Sequence, residues 1–240
     1  MVRVDLIVYP SLTLLIGGVL PFFLLRRLTK GRILGLSIIL GGGVMLLSVV
    51  VQTPLQVLPR LILKGGVEQA AEVAILIYAL GLTGFVQEGF KYIVARRGSV
   101  ISALWVGFGF GIAEVIYVVL AQLVGLWIRG PIDVAYSLYP AYERLITLIF
   151  HVFSTASLAV YASRGEGLKG YLFMAVVHSG INLFSGLYLN YMGQESLMSL
   201  WGIPLYIALT PMCLIPYLVF RRSTAQLSEP QMEVGSARSI

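Results

Sequence analysis

Seven runs of about twenty apolar residues, each bounded by a short polar or basic stretch, limit what this chain can fold into. A run of that length crosses a hydrocarbon core about 30 Å thick as a helix. Lipid offers no hydrogen-bond partners, so each run must satisfy its own backbone, and a bundle of α-helices follows. The rest of the composition agrees: 58% of the 240 residues are hydrophobic, 12% are charged, and the mean hydropathy is +0.89. The runs are Leu6 to Leu25, Ile33 to Val51, Glu68 to Ala95, Val100 to Trp127, Leu145 to Ser163, Gly170 to Tyr191 and Leu200 to Phe220. The first is too long for a signal-peptide core and ends in a basic flank, so it reads as a retained span.

Between the second and third runs, Pro54 and Pro59 predict a break, with Leu55 to Leu63 as an interfacial or re-entrant piece. The stretch from Arg129 to Arg144 reads as a polar, tyrosine-rich connection at the membrane border. Residues 1–222 form the bundle, and the polar stretch from Ser223 to Ile240 reads as a disordered tail. The glycines in the fourth and sixth runs, Gly107, Gly109, Gly111, Gly180 and Gly186, suit close helix contact. Cys213, the one cysteine, excludes an internal disulfide.

The formal net charge of +6 does not indicate nucleic-acid binding, because the Lys and Arg sit in short clusters between apolar runs. Assigned to alternate connections, eleven fall on one side and five on the other. That bias predicts an outside N-terminus and a cytoplasmic C-terminus, for a protein integral to the cell membrane with the lipid bilayer as its first partner.

Against this background the charges inside the runs stand out. Phe85 to Tyr92 places Gln87, Glu88 and Lys91 in an apolar segment, and Glu114, His151, His178 and Asn182 lie within three other runs. A charge at the centre of a spanning helix costs about 3 kcal/mol even on lenient scales, so such groups are expected to face the bundle interior and to carry function. At about 1.5 Å rise per residue, Glu88 lies roughly 12 Å from the basic end of its span, Glu114 about 21 Å, His151 about 18 Å and His178 about 13 Å. Four helices each put a titratable group at comparable depth, which predicts one buried cluster in which carboxylate and imidazole exchange hydrogen bonds. Any one of them alone is equally well a helix-to-helix hydrogen bond.

The order of these groups resembles the glutamic intramembrane protease superfamily. Gln87-Glu88-Gly89-Phe90-Lys91, then Phe110-Gly111-Ile112-Ala113-Glu114, then Glu143-Arg144 leading to His151 and Ser154, then His178-Ser179-Gly180-Ile181-Asn182 are similar to its motifs in sequence order. The superfamily includes type II CAAX prenyl endopeptidases, the PrsW and YhfC families, and the multispanning scaffold subunit of γ-secretase. Glu143-Arg144 before the fifth run, with Ser157 to Tyr161 closing it, is most similar to the YhfC branch. The resemblance implies hydrolysis of a peptide bond in or beside the membrane, with a membrane protein or peptide as substrate. Glu88 would activate water, His151, His178 and Asn182 would hold that water and the oxyanion, and Glu114 would fix a histidine tautomer or share the proton.

One departure divides the readings. The proteases carry a Glu-Glu pair where this chain has Gln87-Glu88, and an amide cannot accept a proton. The γ-secretase scaffold subunit resembles this chain in having Gln-Glu there. Two functions therefore stand at this stage: an intramembrane endopeptidase of the PrsW/YhfC type, and a non-catalytic scaffold or partner-binding protein on the same fold. A transporter that uses the same charges along a path is the third class. No cofactor is expected. Zn²⁺ on Glu88, Glu114, His151 and His178 is the alternative, without the His-Glu-x-x-His spacing of known zinc helices.

Overall fold

A computed structural model describes residues 4–63, 69–129, 138–192 and 202–225, and every regular element among them is helical. The first span is α1 (Asp5–Leu14), a π-helical turn (Leu15–Val19) and α2 (Leu20–Leu28) in continuous succession. The widened turn sits just before Pro21, whose missing N–H already interrupts the α-helical ladder. The remaining spans are α3 (Gly35–Ile62), α4 (Gln69–Ala95), α5 (Val100–Arg129), α6 (Leu138–Ser163), α7 (Gly167–Met192) and α8 (Gly202–Thr224). Seven of these stretches are long and apolar enough to cross a membrane, so the chain is an integral membrane protein.

Three expectations are corrected. The break at Pro54 and Pro59 does not occur, and α3 runs unbroken through both. Pro59 lacks the N–H that would bond the Leu55 carbonyl four residues earlier, and Tyr78 Oη of α4 donates to that carbonyl instead, at 3.3 Å. Packing against α4 thus supplies a donor that the helix itself lacks. The polar connection is also shorter than expected: α6 begins at Leu138, with Pro140 in its first turn, where a proline is tolerated. Glu143 and Arg144 are consequently helical, and Arg144 is buried rather than at the border. At the other end, Ser223 and Thr224 belong to α8; the rest of the expected tail beyond Ala225, and the connection over residues 130–137, lie outside the described residues.

Short reversals link antiparallel neighbours. After α6 the chain turns at Gly165, with φ of +77°, while Glu166 N–H bonds Tyr161 O and Gly165 N–H bonds Ala162 O. This Schellman arrangement caps α6 and needs the left-handed residue. At the same end of the bundle Trp105 Nε1 donates to Arg32 O at 2.9 Å and Arg164 donates to Ser223 O. The basic clusters that follow α2, α4, α6 and α8 therefore gather at one end.

α5 and α6 form the centre. Within their most apolar windows, 61% and 67% of residues are buried, against 33% or less in the other spans. The alternating glycines of α5 explain how it sits between two partners. A Cβ at Gly107 would strike the His151 and Val152 backbone of α6, and one at Gly111 would press on Leu148. Two residues on from Gly107, and so on the opposite face of α5, a Cβ at Gly109 would strike the Ile38 backbone of α3, and Gly41 of α3 meets Val106 and Phe110 reciprocally. Spacing of four keeps Gly107 and Gly111 on one face. Gly84 makes a similar approach to Ala175 and Ser179 of α7, and Gly186 of α7 packs on Leu80. Gly180, also expected to mark a close contact, instead lines an apolar groove with Phe85 and Val176.

These contacts separate glycines that packing requires from those it does not. Gly41→Ala should destabilise the bundle by about 1–3 kcal/mol, as overpacking against a backbone does. Gly43, two residues on, meets nothing within 4 Å, so Gly43→Ala should leave stability unchanged or raise it by up to about 1 kcal/mol through helix propensity. Thermal melts of both variants in one detergent check the pair.

Candidate functional site

Lys91 is the hub of the bundle interior. It lies on α4, three residues after Glu88, and its ammonium contacts Glu88 Oε1 at 2.5 Å. Both side chains are wholly buried. From α6, Ser154 Oγ accepts from Nζ at 2.7 Å and His151 Nδ1 lies at 3.1 Å. The rings of Phe110 and Phe150 lie 5.2 and 5.3 Å from the ammonium. An ammonium has three N–H donors and here meets three acceptors, with aromatic faces on the remaining sides.

That arrangement fixes His151. Lys91 can only donate, so Nδ1 is the acceptor and the ring proton sits on Nε2, which donates to Glu114 Oε2 at 3.0 Å. Glu114 on α5 is held in turn by Arg144, at 3.3 Å through Oε1, and Arg144 also pairs with Glu143 at 2.6 Å. On the other flank His178 of α7 turns Nδ1 to Glu88 Oε1 at 2.8 Å, so that nitrogen donates to the carboxylate. The result is one string: His178, Glu88, Lys91, His151, Glu114, Arg144 and Glu143, alternating in charge wherever charged. Side-chain exposure is zero at Glu88, Lys91 and His151, then 24% at Glu114 and 37% at Glu143. Four of the seven spans contribute.

Local sequence explains the placement. Gly107 lets the α6 backbone approach α5 at His151 itself, and Phe110, one turn on, packs its ring on the imidazole with centroids 4.7 Å apart. Arg144 and His151 are seven residues apart and share a face of α6 with Ser154 and Thr155. The close contact of Gly84 with Ser179 holds α4 against α7 at the level where Glu88 meets His178.

The structure thus brings together Glu88, Glu114, His151 and His178 of the expected residues. Gln87 is buried beside them but points to α3, its Nε2 donating to Gln52 Oε1 at 3.3 Å. Asn182 follows one turn after His178, and its Nδ2 has no hydrogen-bond partner. Gln87 Oε1 and Glu88 Oε2 are likewise buried without a partner. Glu88, His151 and His178 also offer ligand atoms that all lie within 4.8 Å of one another.

Sequence reasoning missed three participants. Lys91 stands three residues from Glu88 on one helix face, but nothing in the sequence marks it as the hub. Arg144 reads as the end of the polar connection, although its heptad spacing from His151 signals a shared face once the helix is extended. Gln52 lies one residue beyond the second apolar run, and its spacing of four from Ser48 is the signal of a polar stripe facing inward. Compared with known protein families, with curated proteins and with solved structures, the chain matches none.

A fully buried ion pair should show its coupling. Glu88→Gln and Lys91→Met should each lower stability by about 3–5 kcal/mol, because each leaves an uncompensated buried group. The double variant should lose clearly less than the sum of the two. Denaturation of all four proteins under one condition completes the cycle, and simple additivity would mean that the two groups do not interact.

Proposed function

We propose that the chain is a glutamic-type intramembrane endopeptidase that hydrolyses a peptide bond of a membrane protein or peptide in or next to the bilayer. The observation that supports this most is the division of labour at Glu88. Oε1 is held by Lys91 and His178, while Oε2, equally buried, is left without a partner. A carboxylate anchored through one oxygen and free at the other is poised to accept a proton from water. As that water attacks the carbonyl carbon, Glu88 Oε2 takes its proton and the carbonyl oxygen becomes an oxyanion. Collapse of the tetrahedral intermediate breaks the C–N bond, and Glu88 returns the proton to the leaving amine. Asn182 Nδ2, a donor without a partner on the same helix as His178, is the group suited to the oxyanion. His151 has both nitrogens engaged, so its part is to position Lys91 rather than to touch substrate.

The orientation that belongs with this reading puts the basic end of the bundle in the cytoplasm and the N-terminus outside, in the cell membrane, by the Lys and Arg bias. The site works with the ammonium of Lys91 as its cation and needs no metal in this reading.

A second reading, a scaffold or partner-binding protein, is favoured by one specific pair. Gln87, where the resembling proteases carry a glutamate, is engaged with Gln52 as a neutral amide pair. In a scaffold the charged string serves only to hold four helices together.

Gln87→Glu separates the two. Gln52 can turn its amide so that Nε2 donates to the new carboxylate, and the added charge beside Glu88 raises the proton affinity of one of the pair. For a peptidase, cleavage of a membrane-spanning test peptide should rise tenfold or more, about 1.4 kcal/mol of transition-state stabilisation, and Glu88→Gln should abolish it. No gain in rate together with a lowered melting temperature would favour the scaffold, where an extra buried charge has only a cost.

A further inference from the structure

We infer that the side chain of Lys91 occupies what is otherwise a divalent-metal site, built from Glu88, His151 and His178. One carboxylate and two imidazoles from three helices are a ligand set that binds Zn²⁺ and its neighbours in the first transition row. Their ligand atoms lie within 4.8 Å of one another in the wholly or largely buried interior. Two of the three residues are already bonded to a cation: Lys91 Nζ is 2.5 Å from Glu88 Oε1 and 3.1 Å from His151 Nδ1. The third, His178, is tied to the same Glu88 oxygen at 2.8 Å.

Size and charge both account for why the ammonium holds the place. Tetrahedral contacts at about 2.8 Å around an ammonium space their acceptors by about 4.6 Å. A metal bound at about 2.1 Å spaces its ligands by about 3.4 Å. Glu88 Oε1 and His151 Nδ1 sit at ammonium distances from Nζ, 2.5 and 3.1 Å, and His151 would have to draw inward by about 1 Å to reach a metal in the same place. Lys91 also meets Ser154 Oγ at 2.7 Å, which satisfies its third N–H, so no donor is left over that an incoming ion would relieve. Phe110 and Phe150 close the remaining sides. The protein as it stands therefore carries a covalent cation in a metal-type ligand set, and removal of that one side chain opens the set to an ion. The inference does not depend on peptide cleavage, and its test reads binding alone.

The test is titration with Co²⁺ of the purified full chain in detergent, followed by visible absorption, with Zn²⁺ as competitor and thermal melts alongside. Wild type should take up no ion. Lys91→Ala should bind one equivalent of Co²⁺ with the intense visible bands of a low-symmetry four- or five-coordinate site, and Zn²⁺ should displace it and raise the melting temperature by several degrees. Lys91→Ala/His178→Ala should lose both effects. Lys91→Met keeps the bulk without the charge and should bind nothing. If Lys91→Ala folds poorly alone, Zn²⁺ added during purification should restore the folded fraction. Stoichiometric Co²⁺ bound by wild type or by Lys91→Met, or a Lys91→Ala protein that neither binds nor is restored by metal, would overturn the inference.

Discussion

The interior of this bundle depends on the burial of one carboxylate and one ammonium against each other. Glu88 and Lys91 sit a single helical turn apart, at zero exposure, in a largely apolar helix. Neither charge is tolerable alone at that depth, and the pair alone would still leave acceptors and donors unsatisfied. Satisfying them recruits His151 and Ser154 from α6 and His178 from α7. The Glu88–Lys91 pair therefore does for α4, α6 and α7 what an apolar seam does in a water-soluble core, and with greater directional specificity.

The glycine seams and the charged string depend on each other. His151 can reach Lys91 from α6 and Glu114 from α5 because Gly107 lets those two backbones touch at the His151 carbonyl. Glu114 then passes the requirement for a counter-charge outward to Arg144, next to the first span, where Gly17 of the π-helical turn packs on the Arg144 side chain. The interior charges thus meet the first span through Arg144. Glu88, Lys91 and His151 have no exposure and rest wholly on their partners in the string, whereas Glu114 and Glu143 are partly exposed.

Much of this was legible in the sequence because lipid makes the rules strict. Apolar runs of about twenty residues become helices, since a single segment satisfies its own backbone in lipid only that way, and the glycines of α5 mark close helix contact. The convergence of Glu88, Glu114, His151 and His178 followed from their similar depth. What was not legible turned on side-chain partners. A proline rule read locally predicted a break at Pro54 and Pro59, yet Tyr78, twenty or so residues away in sequence, helps the helix pass through by bonding Leu55 O. Charges near a run's end read as border residues, yet Glu143 and Arg144 extend α6 because Glu114 on another helix neutralises Arg144. In both places a distant residue overrides a local preference.

The most direct measurement is the infrared difference spectrum between wild type and Glu88→Gln in detergent, in H₂O and D₂O. An ionised Glu88 paired with Lys91 predicts that the substitution removes carboxylate stretching bands and leaves the protonated-acid carbonyl region unchanged. Loss of an acid carbonyl band instead would mean that Glu88 is neutral, and that the ion pair on which the arrangement of α4, α6 and α7 rests does not exist.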